Sequence, residues 1–446
     1  MKILTLFLIA SFSLFSISLK GQAKPEGTTE ITRWQYGKDA ALSLTYDDGY
    51  INQFTVALLM MKKLNLPATF FIITGQLAGS KYHGEFIGRP VATIIKETTA
   101  TSTGKPNFFE RASAIPYLGY QGILDYHVRA GSLYESGKVE QAYALIDSVY
   151  EKVRNGEFKP GTRNVINTKG ITWDDVREFE KEGHEFASHT VTHPMTPVLD
   201  EPNLLYELQN SREDILKQLG ARATFSAECS YGIENPRVME YALKIYPALR
   251  NRMPEPYLAE LNRSSKLLPG SFNKEYVQWQ RGATTKTNMA LMKSWVDTVL
   301  THRNNWLVLV FHGVDGNGYE ALSHDILEEY FLYIKEKESN LWIATFGDVT
   351  RYMRERMSAK VSVSNTAKKI NIRLNHSIDK IMYDVPLTLK TYLPVSWKLV
   401  QVKQGNKNQQ LNTSKDENGT YVLYQAAPNA EPINLSVIQY PLTKNK

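Results

Sequence analysis

Between Ala40 and Met357 short apolar runs alternate with amphipathic segments, and this alternation constrains the fold more than any other feature of the chain. Ala40 to Tyr46 (AALSLTY) reads as a buried strand that ends in Asp47-Asp48-Gly49. Ile51 to Leu64 then places Phe54, Ala57, Leu58 and Met61 at the spacing of one helix face. Asn65-Leu66-Pro67 ends that helix, and Ala68 to Ile73 (ATFFII) is a second buried strand. Strand, helix, strand in this order predicts a parallel α/β unit. The pattern resumes at Thr172, which with Asp175 resembles a capping box opening a helix that Gly183 stops. Helices over Leu204–Leu219, Thr285–His302, Ile326–Glu336 and Asp348–Met357 follow. They alternate with strands over His184–Ser188, Trp306–Phe311 and Leu341–Ala344. One large α/β barrel-like domain accommodates the whole run.

Three stretches depart from the pattern. Met1 and Lys2 precede an apolar run from Ile3 to Leu19, with the small residues Gly21 and Ala23 after it. A basic start, an apolar stretch and small residues at its end predict a secretory signal over 1–23, and so an exported bacterial protein. A membrane anchor is the alternative reading of the same run. Gly75 to about Ile166 is rich in Gly, Pro, Thr and Ser and holds one clear helix, about Lys138–Val153; it reads as an insertion, either a small subdomain or a lid. From Ala359 to Lys446 the apolar residues instead recur at period two between turn signals, which predicts a small all-β, sandwich-like domain. The main domain is therefore expected over 30–358, with the insertion at about 75–166 and the β domain over 359–446.

Composition removes several function classes. Lys+Arg minus Asp+Glu is 52 − 46 = +6, with no basic block of the kind a nucleic-acid surface needs. No segment after the N-terminus approaches the ~18 apolar residues of a membrane span, so none is expected in the mature chain. A single cysteine, Cys229, excludes an intramolecular disulfide framework and any cysteine-rich zinc site. A metal would have to be held by His and carboxylates.

The chemistry-bearing residues gather at predicted strand ends. Asp47 and Asp48 follow a buried strand, where adjacent carboxylates repel and burying one unpaired is costly. A stabilising acidic pair at a helix N-terminus is the bland alternative. His189-Thr190-Val191-Thr192-His193 places two imidazoles four residues apart after another strand. With a carboxylate, such a pair forms a common divalent-metal set. His312 ends the most apolar strand of the chain, a position suited to proton transfer or to a structural role. Of the nine histidines, His83, His127, His302, His324 and His376 read as ordinary surface or loop residues.

These motifs carry a resemblance. Thr45-Tyr46-Asp47-Asp48-Gly49 resembles the TFDDG motif of polysaccharide deacetylases, the family sharing the NodB homology domain. Ser188-His189-Thr190-Val191-Thr192-His193-Pro194, after Gly183-His184-Glu185-Phe186-Ala187, is similar to its metal-binding histidine motif. Leu309-Val310-Phe311-His312-Gly313 resembles its last catalytic motif, and Trp342-Ile-Ala-Thr-Phe-Gly-Asp348 its closing strand and helix. The resemblance implies a distorted (β/α) barrel and metal-dependent removal of acetyl groups from an oligo- or polysaccharide. Asp48, His189 and His193 would hold a divalent metal, often zinc in this family. Asp47 would be the general base, His312 the general acid, and the Tyr231 N–H would complete the oxyanion site. Asp47 and His312 are expected on opposite sides of the metal point.

One motif departs. Where the family reads Arg-x-Pro-Tyr, this chain has Glu228-Cys229-Ser230-Tyr231-Gly232. Glu228 stands in place of the arginine that braces the base, and a carboxylate there is expected to raise the pKa of Asp47. Arg281, beside Trp279, is a candidate to substitute for it in space, with Trp279 walling the acetyl pocket; ordinary packing is the alternative for both. Two further readings remain open: an O-acetyl esterase acting on xylan-like polymers with the same site, and a glycan-binding protein descended from the enzyme.

Overall fold

The computed structural model describes residues 23–161, 171–366 and 369–438. The signal segment therefore lies outside the described residues, apart from Ala23. The chain divides into two compact units: Thr32–Ala359 with His376–Thr388, and the rest.

The larger unit is built on a nine-stranded sheet. Its path runs Ala248–Leu249, Ser226–Ala227, Glu185–Ser188, Ala68–Ile72, Ala40–Asp48, Asn305–Phe311, Tyr276–Gly282 and Leu258–Leu261, with Leu341–Ile343 also pairing to Ala40–Asp48. Every pairing is parallel, and Ala248–Leu249 and Leu258–Leu261 are not paired with each other. This is the incompletely closed, distorted barrel expected of the NodB type, so the fold reading holds. Ala40–Asp48 is the central strand. Along one edge Ala40–Leu42 pair with Leu341–Ile343 and Leu44–Asp48 with Ala68–Ile72; along the other Ala41–Tyr46 pair with Trp306–Phe311. All nine of its residues are buried, which is why its sequence reads as a continuous apolar run rather than an alternating one.

Helices cover the sheet. Leu58–Leu64, Trp173–Lys181, Met289–Val299 and His324–Glu336 bury their apolar stripes in one core with Phe70, Phe186, Leu307 and Leu309. Phe70 and Phe186 stack at 5.3 Å between ring centroids. Burying each such side chain contributes about 1.5–3 kcal/mol. The capping box forms as read: Thr172 accepts from the Asp175 N–H, and the Asp175 carboxylate accepts from the Thr172 N–H at 2.8 Å.

The inserted stretch is a helical subdomain and holds more structure than its sequence suggests. Besides Val139–Arg154 it contains Val91–Glu97, Phe108–Ala114 and Ile123–Glu135. The first two are single seven-residue helices, too short to print a stripe, and they are held by burial of Ile94, Phe108 and Ala112 in the subdomain core together with tertiary polar ties. Buried Arg111 donates to the Thr101 carbonyl and the Thr103 hydroxyl at 2.9 and 3.0 Å, and Asp147 accepts from the Thr103 N–H. His127 is not a surface residue. It is fully buried, its Nδ1–H bonded to the Ala112 carbonyl and its Nε2 accepting from the Met195 N–H. Met195 and Val198 share the subdomain's core with Ile115, Ala130 and Ile146. The insertion is thereby packed onto the loop that follows His193.

The second unit holds two antiparallel sheets. One orders Lys360–Thr366, Lys369–Asn375, Ile433–Val437, Leu399–Gln404 and Lys407–Asn412; the other orders Thr29–Ile31, Leu387–Leu393, Gly419–Ala426 and Ser414–Asp416. Gly419–Ala426 buries every second residue, the period-two pattern read from the sequence. The N-terminal strand was not anticipated: Thr29 pairs with Thr391, so Thr29–Ile31, ahead of the barrel, belong to a C-terminal sheet.

Candidate functional site

The site forms at the C-terminal ends of the parallel strands because the sheet ladder runs one residue past each of them. The His189 N–H donates to the Ile72 carbonyl at 2.9 Å, that of Glu228 to Ser188 at 2.9 Å, and that of Arg250 to Ala227 at 3.1 Å. Each of these side chains is thus the first beyond its strand and is held by its neighbour's backbone. Buried Gln53 ties two further strand ends together, donating to the Asp47 carbonyl at 2.6 Å and the His312 carbonyl at 2.8 Å. Above this edge lies a cavity of about 560 Å³, lined by Asp47, Asp48, His189, His193, Tyr231 and His312 among others.

Asp48, His189 and His193 come together as the sequence suggested. Each offers a ligand atom, and these atoms lie within 4.8 Å of one another. Asp48 Oδ1 is 3.6 Å from His189 Nε2 and 3.3 Å from His193 Nε2. The His189 Nδ1–H donates to the Glu228 carbonyl at 2.8 Å, which fixes the tautomer and turns the Nε2 lone pair toward the shared point. Among these groups Asp48 and His193 have positive φ (77° and 60°), as does Tyr231 (63°). Non-glycine residues adopt that region at a cost of order 1–3 kcal/mol, and such residues cluster at functional sites. Two imidazoles and one carboxylate, buried at Asp48 and His189, part-buried at His193 and mutually oriented, fit a divalent metal such as zinc.

Asp47 is braced by an arginine the sequence reading missed. Fully buried Arg250 makes a two-pronged pair with it, Nη1 to Oδ1 and Nη2 to Oδ2, both 2.7 Å. Arg250 also donates to the Thr45 hydroxyl at 2.9 Å and lies 3.1 Å from Glu228 Oε1. Burial works to raise the Asp47 carboxyl, but the Arg250 charge outweighs it and holds Asp47 well below the usual carboxylate range. The expectation that Glu228 would raise Asp47 is therefore overturned. Glu228 absorbs the conflict instead: burial pushes its own carboxyl up despite Arg250, so it keeps a proton more readily than an ordinary glutamate and leaves the cation to Asp47.

Arg281 does not take the bracing role. Its guanidinium donates to the Gln280 and Ser265 carbonyls and stacks on Trp279 at 4.2 Å. Trp279 is 2% exposed in the barrel core, and neither residue lines the cavity. Arg250 follows the two-residue strand Ala248–Leu249, too short to register as a strand. The only signal was an arginine directly after a small apolar pair.

His312 faces Asp47 rather than standing opposite it, with Nε2 3.5 Å from Asp47 Oδ2. Burial lowers its pKa, against the pull of the Asp47 charge. Tyr231 lines the cavity with its ring 4.6 Å from that of His193. Cys229, next to the site in sequence, is fully buried, and burial together with Glu234 pushes its thiol well up. It packs with Leu199, Leu208 and Tyr246.

Comparison with known proteins gives one family and several distant relatives. The family model "Polysaccharide deacetylase" matches residues 35–100 and 158–249. The gap between the two segments falls in the helical insertion. A gellan lyase from Bacillus sp. is 24% identical over 277 residues, 58% of this chain. This chain spans only 11% of that protein's length. Among solved structures, a putative polysaccharide deacetylase from Mycobacterium smegmatis covers 75% of this chain and 96% of its own, at 12% identity and TM-score 0.37. A family 4 carbohydrate esterase from Streptomyces lividans covers 68% and 92%, at 12% identity and TM-score 0.33. At these TM-scores the structural likenesses add no weight to the family match.

Proposed function

Because residues 35–100 and 158–249 match the polysaccharide deacetylase family model, we propose that this chain is an exported, metal-dependent deacetylase that hydrolyses N-acetyl groups of a carbohydrate. The observation that carries the reading is the Asp48, His189, His193 cluster with Asp47 held ionised beside it by Arg250. A divalent cation, when bound by those three residues, lowers the pKa of water towards about 7 and polarises the acetyl carbonyl.

The chain's own residues do the rest. Asp47 Oδ2 accepts the proton of the attacking water, and the Arg250 fork keeps that oxygen aimed into the cavity. His312 Nε2, 3.5 Å away, relays a proton to the leaving nitrogen. The Tyr231 backbone N–H, presented by its positive-φ turn, stabilises the developing oxyanion.

The test is acetate release from N-acetylglucosamine oligomers. It is expected to vanish with a chelator and return with zinc. Release from acetylated xylan alone would favour the O-acetyl esterase reading. Sugar binding without release from either would favour the binding-protein reading. Export rests on the residues before Ala23, and N-terminal sequencing of chain recovered outside the cytoplasm checks it. A start near Lys24 is expected, whereas a membrane-bound chain retaining Ile3 to Leu19 would favour the anchor. No helix among the described residues is long and apolar enough to cross a membrane.

A further inference from the structure

One charged group in the cavity is left over from this chemistry. Arg263 lines it beside Tyr231, Gly232 and His312. Its guanidinium packs against Gly232. A Cβ built on Gly232 would sit 2.5 Å from Arg263 Nη2, and one on Gly282 would sit 3.1 Å from its Cδ. Two glycines thus make the channel through which the side chain reaches the cavity. Gly232 has φ +65°, so a larger residue there would be strained as well as crowded.

Of the acids near Arg263, Asp47 and Asp48 are engaged elsewhere and Glu228 is engaged through one oxygen. Asp47 is held by both prongs of Arg250. Glu228 is held through Oε1 by Arg250 at 3.1 Å and by the Asn251 amide, while its buried Oε2 makes no hydrogen bond. Asp48 belongs to the metal cluster. Among the described residues no carboxylate or carbonyl accepts a hydrogen bond from the Arg263 guanidinium. An arginine held at a cavity wall with its donors unspent suits a planar anion from outside.

We propose that Arg263 is a specificity-determining residue that pairs with a carboxylate on the substrate, so that the preferred glycan is acidic and bears a carboxyl group close to the acetylated sugar. This rests on the cavity being the glycan site.

The experiment uses a matched pair of substrates: an N-acetylated oligosaccharide containing a uronic acid, and the same oligosaccharide with the carboxyl reduced to the alcohol. The native chain is expected to favour the acidic form. In Arg263→Gln the ratio of kcat/KM between acidic and reduced forms should fall roughly 10- to 100-fold, mainly through KM. Arg263→Lys should recover part of that ratio, and added salt should weaken the native preference. An equal loss on both substrates would overturn the proposal, because Arg263 would then be serving the reaction itself. A change only in inhibition by free acetate would also overturn it, since the carboxylate bound would be the product's. If the native chain releases acetate from neither substrate, the deacetylase reading fails separately. Calorimetric binding of the same pair to the native chain and to Arg263→Gln then decides the inference alone: a native preference for the acidic form that Gln abolishes supports it, and equal binding overturns it.

Discussion

Asp47→Asn is expected to lower kcat for acetate release by ~10²–10⁴-fold, the usual range for losing a positioned general base. The substitution keeps the shape of the side chain and one acceptor for Arg250, while the amide cannot take a proton from water. Asp47 is not among the three grouped ligand residues, so bound metal per chain, measured by elemental analysis, should stay near the native value. That separates the variant from Asp48→Asn, which should lose metal and activity together. Full turnover by Asp47→Asn would sink the base assignment.

Arg250→Leu should have the largest effect on stability. Arg250 is the shared cation of two buried carboxylates, Asp47 and Glu228, and removing it leaves them facing each other in the interior. Breaking a buried pair in this way costs about 3–5 kcal/mol, visible as a lower urea midpoint. Arg250→Lys should also lose stability and activity, since an ammonium cannot make both 2.7 Å contacts to Asp47 in the plane of a fork. Glu228→Gln placed in the Arg250→Leu background should restore part of the loss by removing one stranded acid. Strict additivity of the two substitutions would show that Glu228 and Arg250 do not act as a unit.

The parts of the site that read clearly from sequence share a cause. Asp47 and Asp48 close, and His189 and His312 directly follow, strands long or apolar enough to be recognised, so their place at one sheet edge could be reasoned out. Arg250 follows two strand residues, and Gln53 sits on a helical segment whose apolar neighbours attract the attention. Neither has a local signal of its role, because the role is a bond to a strand end far away in sequence. The short helices of the insertion were unreadable for a related reason: seven residues do not complete two turns, so their buried Ile94, Phe108 and Ala112 leave no stripe in the sequence, and the buried Arg111 and His127 that tie the subdomain are polar.

What the amino-acid order determined by itself was the parallel barrel and the Asp and His motifs at its strand ends, since both are written in local periodicity and in residues adjacent along the chain. With one cysteine, it also confined any metal to imidazole and carboxylate ligands. What tertiary structure alone decided was the charge state of the site. The departure at Glu228 looked like a defect in one dimension. In three dimensions Arg250 arrives from the next strand, between Glu228 and Asp47, and reverses the expected shift, because electrostatic energy depends on distance through space and burial rather than on separation in sequence.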